Sequence, residues 1–440
     1  MEYTGKKLIG NVTWSMVSKI YSMLISLVVG ALSARYLGPS NYGVLNYGTS
    51  LISFFSTVSA LGFASTLPVE MVRDKKNEGK IIGSAVVFRF VTSIICFIGI
   101  FLLLEILEPN NKLIQVVTML QAISVVLNTY EIFLYWFQMR LQMKMVTIAS
   151  MIALTVTAIW RVTLLAKQAS VEFFALSNSI SALVTGICIL FFFWKSKDRP
   201  RLSFEFQEGK QLLLSSYHFV ISGLAVTLYS QLDRIMLGKI VSSESVGFYS
   251  AAMNIAIMWE FVPLALINTA RPAIADLKVK NERDYQEKYK LLLLAITIMG
   301  ICVSVGFMIF GKLIIYILYG ESYDPAVPAL WILIWATSFS MIGTARVIWL
   351  VAENKNQYEK YCVIIGAIVN VILNALFIPR WGIVGASITT LISQFIVACI
   401  TPYFFKDIRL FMKLYLESFS CFPELLNISK KYLRTVIRKK

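Results

Sequence analysis

Apolar runs of about twenty residues follow one another almost without interruption along this chain, each closed by a short polar or basic stretch. That length is what a helix needs to cross the roughly 30 Å hydrocarbon core of a bilayer, where backbone amides must be satisfied within the segment. Twelve such spans are predicted, near residues 12–34, 44–66, 82–104, 114–137, 146–166, 172–194, 212–236, 246–268, 291–318, 327–350, 361–379 and 382–405. Beyond them, residues 406–440 mix Leu, Phe and Tyr with nine Lys and Arg, which predicts a basic amphipathic helix on the cytoplasmic surface. The pattern is that of an all-α polytopic membrane protein.

The pattern also repeats. Shifting the sequence by 204 residues places Tyr42-Gly43-Val44-Leu45 over Val246-Gly247-Phe248-Tyr249, Arg35 over Lys239 and Pro68 over Pro272. Spans one and two then match spans seven and eight. An even number of spans separates the copies, so both halves keep the same orientation, as in parallel repeats about an axis along the membrane normal. Two six-helix lobes related by a pseudo-two-fold are expected, 1–205 and 206–405, joined by the basic segment 195–211, with 406–440 as the tail. Lys6 and Lys7 before an apolar run, and Ala31-Leu-Ser-Ala34 after it, resemble a signal peptide. The repeat argues that this span is retained.

Composition places most of the chain in lipid: 57% of residues are hydrophobic, 15% are charged, and mean hydropathy is +0.70. Of 41 Lys and Arg, thirty fall in the termini and the even-numbered connections, six in the odd-numbered connections and five within spans. The positive-inside rule then puts both termini in the cytoplasm. The net charge of +16 is explained by those loops and by attraction to anionic lipid, so no nucleic-acid partner is expected. The six cysteines are isolated, without metal-ligand spacing, so no metal or cofactor is expected either. Asn11-Val-Thr and Asn427-Ile-Ser match the glycosylation sequon on the expected cytoplasmic side and are discounted.

Polar residues three and four apart share a helix face. Such stripes run through span one (Asn11, Ser15, Ser18, Lys19, Ser22, Ser26), span two (Asn46, Thr49, Ser50, Ser53, Ser56, Thr57), span seven (Ser215, His218, Ser222, Tyr229, Ser230, Asp233) and span eight (Tyr249, Ser250, Asn254, Glu260, Asn268). Hydroxyls alone could serve helix packing. Charges add a functional reading, because an ionisable group at mid-span costs roughly 2.5–3.5 kcal/mol on insertion scales and usually faces a wet cavity or a partner. Lys19, Arg89 and Glu260 lie deepest. Glu260 is the candidate for a coupling H+ or Na+, and His218, the single histidine, could serve a proton-linked cycle. Arg161, Lys312, Arg346 and Glu131 lie nearer span ends and are expected to reach the interface. Asp233 and Arg234 read as a local ion pair. Trp14, Trp136, Trp194, Trp331, Trp349 and Trp381 fit an interfacial belt, whereas Trp160, Trp259 and Trp335 sit deeper, where an aromatic face could stack on a sugar.

Ala34-Arg35-Tyr36-Leu37-Gly38-Pro39 with Tyr42-Gly43, Asp233-Arg234-Ile235-Met236-Leu237-Gly238, and Val246-Gly247-Phe248-Tyr249-Ser250-Ala251 resemble bacterial oligosaccharide flippases of the Wzx type. These belong to the superfamily that includes the multidrug and toxic-compound extrusion (MATE) transporters. The resemblance implies a MATE-like pair of six-helix lobes in the bacterial inner membrane. It implies transfer of undecaprenyl-pyrophosphate-linked oligosaccharide from the cytoplasmic to the periplasmic leaflet by alternating access, for O-antigen or a similar surface polysaccharide. A polysaccharide polymerase and a chain-length regulator are the implied partners, and no enzymatic activity is implied. Arg35, Gly38, Pro39, Tyr42, Gly43, Asp233 and Arg234 carry over as turn-shaping or gating positions. For such a substrate, Lys19 and Arg89 would offset pyrophosphate charge, and Ser22, Ser53 and Asn254 would offer hydrogen bonds to sugar.

Three alternatives share parts of this pattern. A cation-coupled multidrug antiporter on the same fold should have a carboxylate-rich cavity. A membrane-embedded polymerase or glycosyltransferase normally needs a long extramembrane loop or an acidic metal-binding motif. A lipid-II-type flippase usually has two further spans, where this chain has its basic tail.

Overall fold

The computed structural model describes residues 5–423, with side chains at Trp14 and from Lys19 onward. The side chains of Asn11, Ser15 and Ser18, and the whole of 424–440 with Asn427 and the last six basic residues of the tail, lie outside the described residues. Helix is the only regular secondary structure among the described residues. In chain order the helices are α1 (Gly5–Ser59), α2 (Phe63–Arg73), α3 (Glu78–Leu107), α4 (Lys112–Leu127), α5 (Glu131–Met139), α6 (Met143–Ala166), α7 (Val171–Lys195), α8 (Phe206–Ile240), α9 (Ser243–Ala256), α10 (Phe261–Lys280), α11 (Glu282–Tyr319), α12 (Val327–Ala352), α13 (Gln357–Phe395), α14 (Thr401–Phe404) and α15 (Arg409–Ser418).

Among the described residues, ten continuous helical stretches are long and apolar enough to cross a bilayer. Two are too long for one crossing. At 1.5 Å per residue, the 55 residues of α1 would extend about 80 Å. Its helical dihedrals fail at Gly38, where φ is 72° and ψ 169°, and Pro39 then lacks the amide that helix continuation would use. The 48-residue stretch Gln357–Phe404 breaks likewise at Gly382, with φ 52° and ψ −125°. The first break falls between expected spans one and two, and the second at the first residue of expected span twelve, which makes twelve crossings.

Three expected spans change winding midway. A 3-10 turn at Asn128–Tyr130 separates α4 from α5, another at Met258–Glu260 separates α9 from α10, and a π turn at Ile396–Ile400 joins α13 to α14. At the first, the Thr129 hydroxyl donates to the Val126 carbonyl at 2.8 Å, and the Asn128 amide is shared between Ser124 and Val126. Local side-chain competition for carbonyls of this kind disturbs α-helical winding.

The chain forms two compact units, 1–247 and 248–440. In the first, α1 packs on α4, α6 and α8, and α7 packs on α4 and α6. An apolar core at the expected cytoplasmic end gathers Phe63, Leu67, Ile82, Trp136 and Phe193. Compactness groups α8 with the first unit, one helix beyond the 205/206 boundary suggested by the repeat, because α8 packs along α1, α2 and α3. The same unit supplies geometric support for the 204-residue repeat. A Cβ at Gly43 would overlap the Ser243 carbonyl, and a Cβ at Gly247 would overlap the Pro39 carbonyl. Gly43 and Gly247, and Pro39 and Ser243, are each related by that shift, so two equivalent turns meet reciprocally, backbone on backbone.

In the second unit, α10, α11 and α12 enclose Tyr285, Tyr289, Ile342 and Trp349. The amphipathic helix expected in the tail is present as α15, but its apolar face is turned onto protein. Phe411, Leu414 and Tyr415 are buried, Phe411 lies 6.1 Å from the Trp349 ring, and Lys290 pairs with Glu417 at 3.4 Å. Leu410, Lys413 and Leu416 face outward.

Candidate functional site

Inside the first unit, the second half of α1, α4, the turn Asn128–Tyr130, α7 and α8 surround a cavity of about 530 Å³. Thr49, Ser53, Ser56 and Thr57 line it from α1, Gln121 and Ser124 from α4, Asn178 and Ser181 from α7, and Thr227, Ser230 and Gln231 from α8. With Asn128 and Tyr130, thirteen of fifteen lining residues carry a hydroxyl or carboxamide; Ile52 and Ala182 complete the wall. Among them there is no carboxylate, ammonium or guanidinium.

The polar stripe of the second span creates one wall. Thr49, Ser53 and Thr57 are one helical turn apart, and each hydroxyl donates to the carbonyl four residues back, at 2.8–2.9 Å. That bond satisfies the proton inside the membrane and leaves oxygen lone pairs available to the cavity. Two cross-helix bonds fix α8 against this wall: Thr57 to Thr227 at 2.8 Å, and the Ser50 hydroxyl to Gln231 Oε1 at 3.0 Å. Arg234 donates to the same Gln231 oxygen at 2.9 Å.

The expected site residues separate. Ser53 lines the cavity. Lys19 is exposed on the first half of α1, where the Ser22 hydroxyl donates to its carbonyl at 2.9 Å. Arg89 does not line the cavity; it is 2% exposed and its Nη2 lies 2.6 Å from Glu131 Oε2. Glu131 follows directly on the 3-10 turn that presents Asn128 and Tyr130, so its pair with Arg89 adjoins that turn in the chain. Asn254 and Glu260 belong to the second unit. Glu260 ends the 3-10 turn there, beside Trp259, whose indole donates to Thr337 at 2.9 Å. The Glu260 carboxylate has no hydrogen-bond or ion-pair partner among the described residues. His218 is exposed and its ring lies 3.7 Å from that of Tyr217.

Two charges expected at the interface are instead committed to ion pairs inside protein. Arg346 is fully buried, bonded to Glu359 at 2.9 Å and to the Val397 carbonyl in the π turn. Glu131 is the partner of Arg89. A buried guanidinium is tolerable only with such partners. Lys312 does reach outward, 71% exposed and 3.7 Å from Asp324. Asp233 is buried beside Arg234. Of the turn positions, Gly38 and Pro39 form the break in α1, and Gly43 meets the backbone of Ser243. Arg35 is exposed and Tyr42 half-buried.

Gln121, Asn128, Asn178, Ser181 and Gln231 were not anticipated as wall residues. Asn178 and Ser181 stand three apart on span six, and Asn128-Thr129-Tyr130 interrupts the apolar run of span four, so both carried a polar signal of the kind used elsewhere.

A protein-family model described as polysaccharide biosynthesis protein matches residues 8–278. The putative O-antigen transporter of Escherichia coli (strain K12) is 23% identical over 406 residues, covering 91% of this chain and 97% of that protein. Among solved structures, the lipid II flippase MurJ in an inward closed conformation has a TM-score of 0.71 at 14% identity, covering 96% of this chain and 93% of that one. An inward-facing multidrug resistance MATE family transporter of the MOP superfamily has a TM-score of 0.70 at 13% identity, with 90% and 96% covered. The MATE-like twelve-helix architecture and the resemblance to oligosaccharide flippases are thereby borne out. With the match spanning more than half of its length, this multi-pass membrane chain belongs to the polysaccharide biosynthesis protein family.

Proposed function

We propose that this protein is a flippase that carries an undecaprenyl-pyrophosphate-linked oligosaccharide from the cytoplasmic to the outer leaflet, as two six-helix lobes working by alternating access. The observation that carries the reading is the hydroxyl- and carboxamide-lined cavity of the first unit, embedded in twelve apolar spans. A sugar chain needs donors and acceptors in place of water while it crosses the low-dielectric core, and this wall offers both. Its relatives include a putative O-antigen transporter, which supports a surface polysaccharide as destination. A cationic drug would call for carboxylates, and the described wall carries none.

Lys19, exposed on α1, is the candidate cation for the pyrophosphate, and Glu260, or His218, for a coupling H+ or Na+. The Lys and Arg distribution supports cytoplasmic termini in a bacterial inner membrane. A polymerase and a chain-length regulator would receive the product. Reconstitution in liposomes with a fluorescent lipid-linked oligosaccharide tests the reading: protein should accelerate movement of the label out of reach of an external quencher. Vesicles that show no acceleration, yet take up an organic cation against a proton gradient, would replace the flippase by an antiporter.

A further inference from the structure

We propose that the cavity of the first unit is a recognition site for uncharged sugar units and that it excludes acidic ones. This rests on the flippase reading and deepens it, by naming which part of the substrate is read there and by what chemistry. About 530 Å³ lies within the roughly 300–1,000 Å³ of pockets that enclose small organic ligands, the scale of a short oligosaccharide.

An accounting of donors and acceptors around the wall defines the ligand. Thr49, Ser53 and Thr57 use their protons on backbone carbonyls and so present acceptors. Gln231 is the reverse: its Oε1 already accepts from Ser50 and Arg234, so the group it has left is its NH₂. The carboxamides of Asn128 and Asn178 line the cavity and have no side-chain partner among the described residues, which leaves donor and acceptor in each. Sugar hydroxyls, each a donor and an acceptor, match this mixture.

A uronic acid or a pyrophosphate does not match it. An anion brought here would lose its hydration with no ammonium or guanidinium in the described wall to replace it, and the cost of an unpaired buried charge far exceeds that of a hydroxyl. The guanidinium nearest in the bonding network, that of Arg234, acts through Gln231. Sugar and pyrophosphate are therefore handled at different places, and the neutral chamber sets which repeat units pass.

Saturation-transfer NMR on the full detergent-solubilised chain tests this with two free probes, N,N′-diacetylchitobiose and digalacturonate. The neutral disaccharide should bind at least about tenfold more tightly than the acidic one. Asn178→Leu and Asn128→Leu, which break no hydrogen bond within the protein, should each weaken it by about tenfold, and Asn178→Lys should shift the preference toward digalacturonate. If one leucine variant fails to fold, the other carries the test. Equal binding of the two probes, no binding of either, or chitobiose binding that both leucine variants leave unchanged would overturn the site. Selective binding in a protein that does not accelerate lipid-linked oligosaccharide movement in liposomes would leave the sugar site standing and remove the flippase reading.

Discussion

Replacing Arg89 by leucine should unfold the protein more readily without touching substrate, and removing Glu131 as well should restore it. Arg89 is 2% exposed and bonded to Glu131 at 2.6 Å, while its Nε and Nη1 have no acceptor among the described residues. Breaking a buried pair from one side typically costs 3–5 kcal/mol, because the other charge is stranded. Glu131 is 32% exposed, so Arg89→Leu should fall near the lower end, about 3 kcal/mol. In Arg89→Leu/Glu131→Gln no charge is left stranded, and the unsatisfied guanidinium nitrogens are gone. Glu131→Gln alone strands the more deeply buried Arg89 and should also cost at least about 3 kcal/mol, so a double variant within about 1 kcal/mol of wild type means a coupling of at least about 5 kcal/mol. Unfolding free energies of the four proteins in mixed micelles measure the cycle. Additivity within about 0.5 kcal/mol would refute the pair as a unit. A double variant that is stable yet moves no substrate would return Arg89 to the role of anion clamp expected from its depth.

Gly43→Ala and Gly247→Ala each put a methyl group onto a backbone carbonyl that no rotamer change can move, and should destabilise by about 1–3 kcal/mol, whereas Gly30→Ala, with open space around it, should not. Equal effects in the same unfolding assay would mean that the turns do not meet as described. Phe411→Ala should cost about 3–5 kcal/mol and release α15 to protease, while Leu416→Ala on the exposed face should stay within about 0.5 kcal/mol. Similar effects of the two would mean that α15 is not docked. Glu260→Gln should remove the dependence of translocation on a proton or sodium gradient. Transport with that dependence intact would give Glu260 a structural role.

Periodic features of the sequence translated directly into structure. Apolar runs located twelve crossings, and the breaks come between the first expected pair at Gly38 and at the start of the last expected span at Gly382. The stripe Thr49, Ser53, Ser56 and Thr57 became a cavity wall because spacing on a helix determines which side chains share a face. Long-range pairing was not legible. Depth alone made Arg89 a pathway candidate and Arg346 an interfacial one, yet partners 42 and 13 residues away decide both. The 3-10 and π turns were hidden for a related reason, since hydropathy does not register a change of winding. The docking of α15 was also hidden, because an amphipathic helix has the same pattern whether protein or lipid covers its apolar face.

Pairing revises what a charge inside a span signifies. Arg89 and Arg346 are deep and basic, but each is matched to a glutamate and held where nothing mobile need reach it. Their carboxylates are not available to bind a cation without breaking a buried pair at a cost of several kcal/mol, and neither guanidinium lines the cavity. Lys19 and Glu260 differ: neither charged group has a hydrogen-bond or ion-pair partner among the described residues, so an ion engaging either would break no such pair. The hydroxyl stripes show the complementary economy. Back-bonded serines and threonines tolerate an apolar surround when the cavity is empty, because the proton is already satisfied, and their lone pairs can still receive a sugar hydroxyl when it is filled. A wall of that kind can alternate between closed and occupied states with little change in electrostatic energy, whereas a charged wall could not. A neutral wall, with charge kept off the chamber, is therefore what a passage for a large polar chain requires.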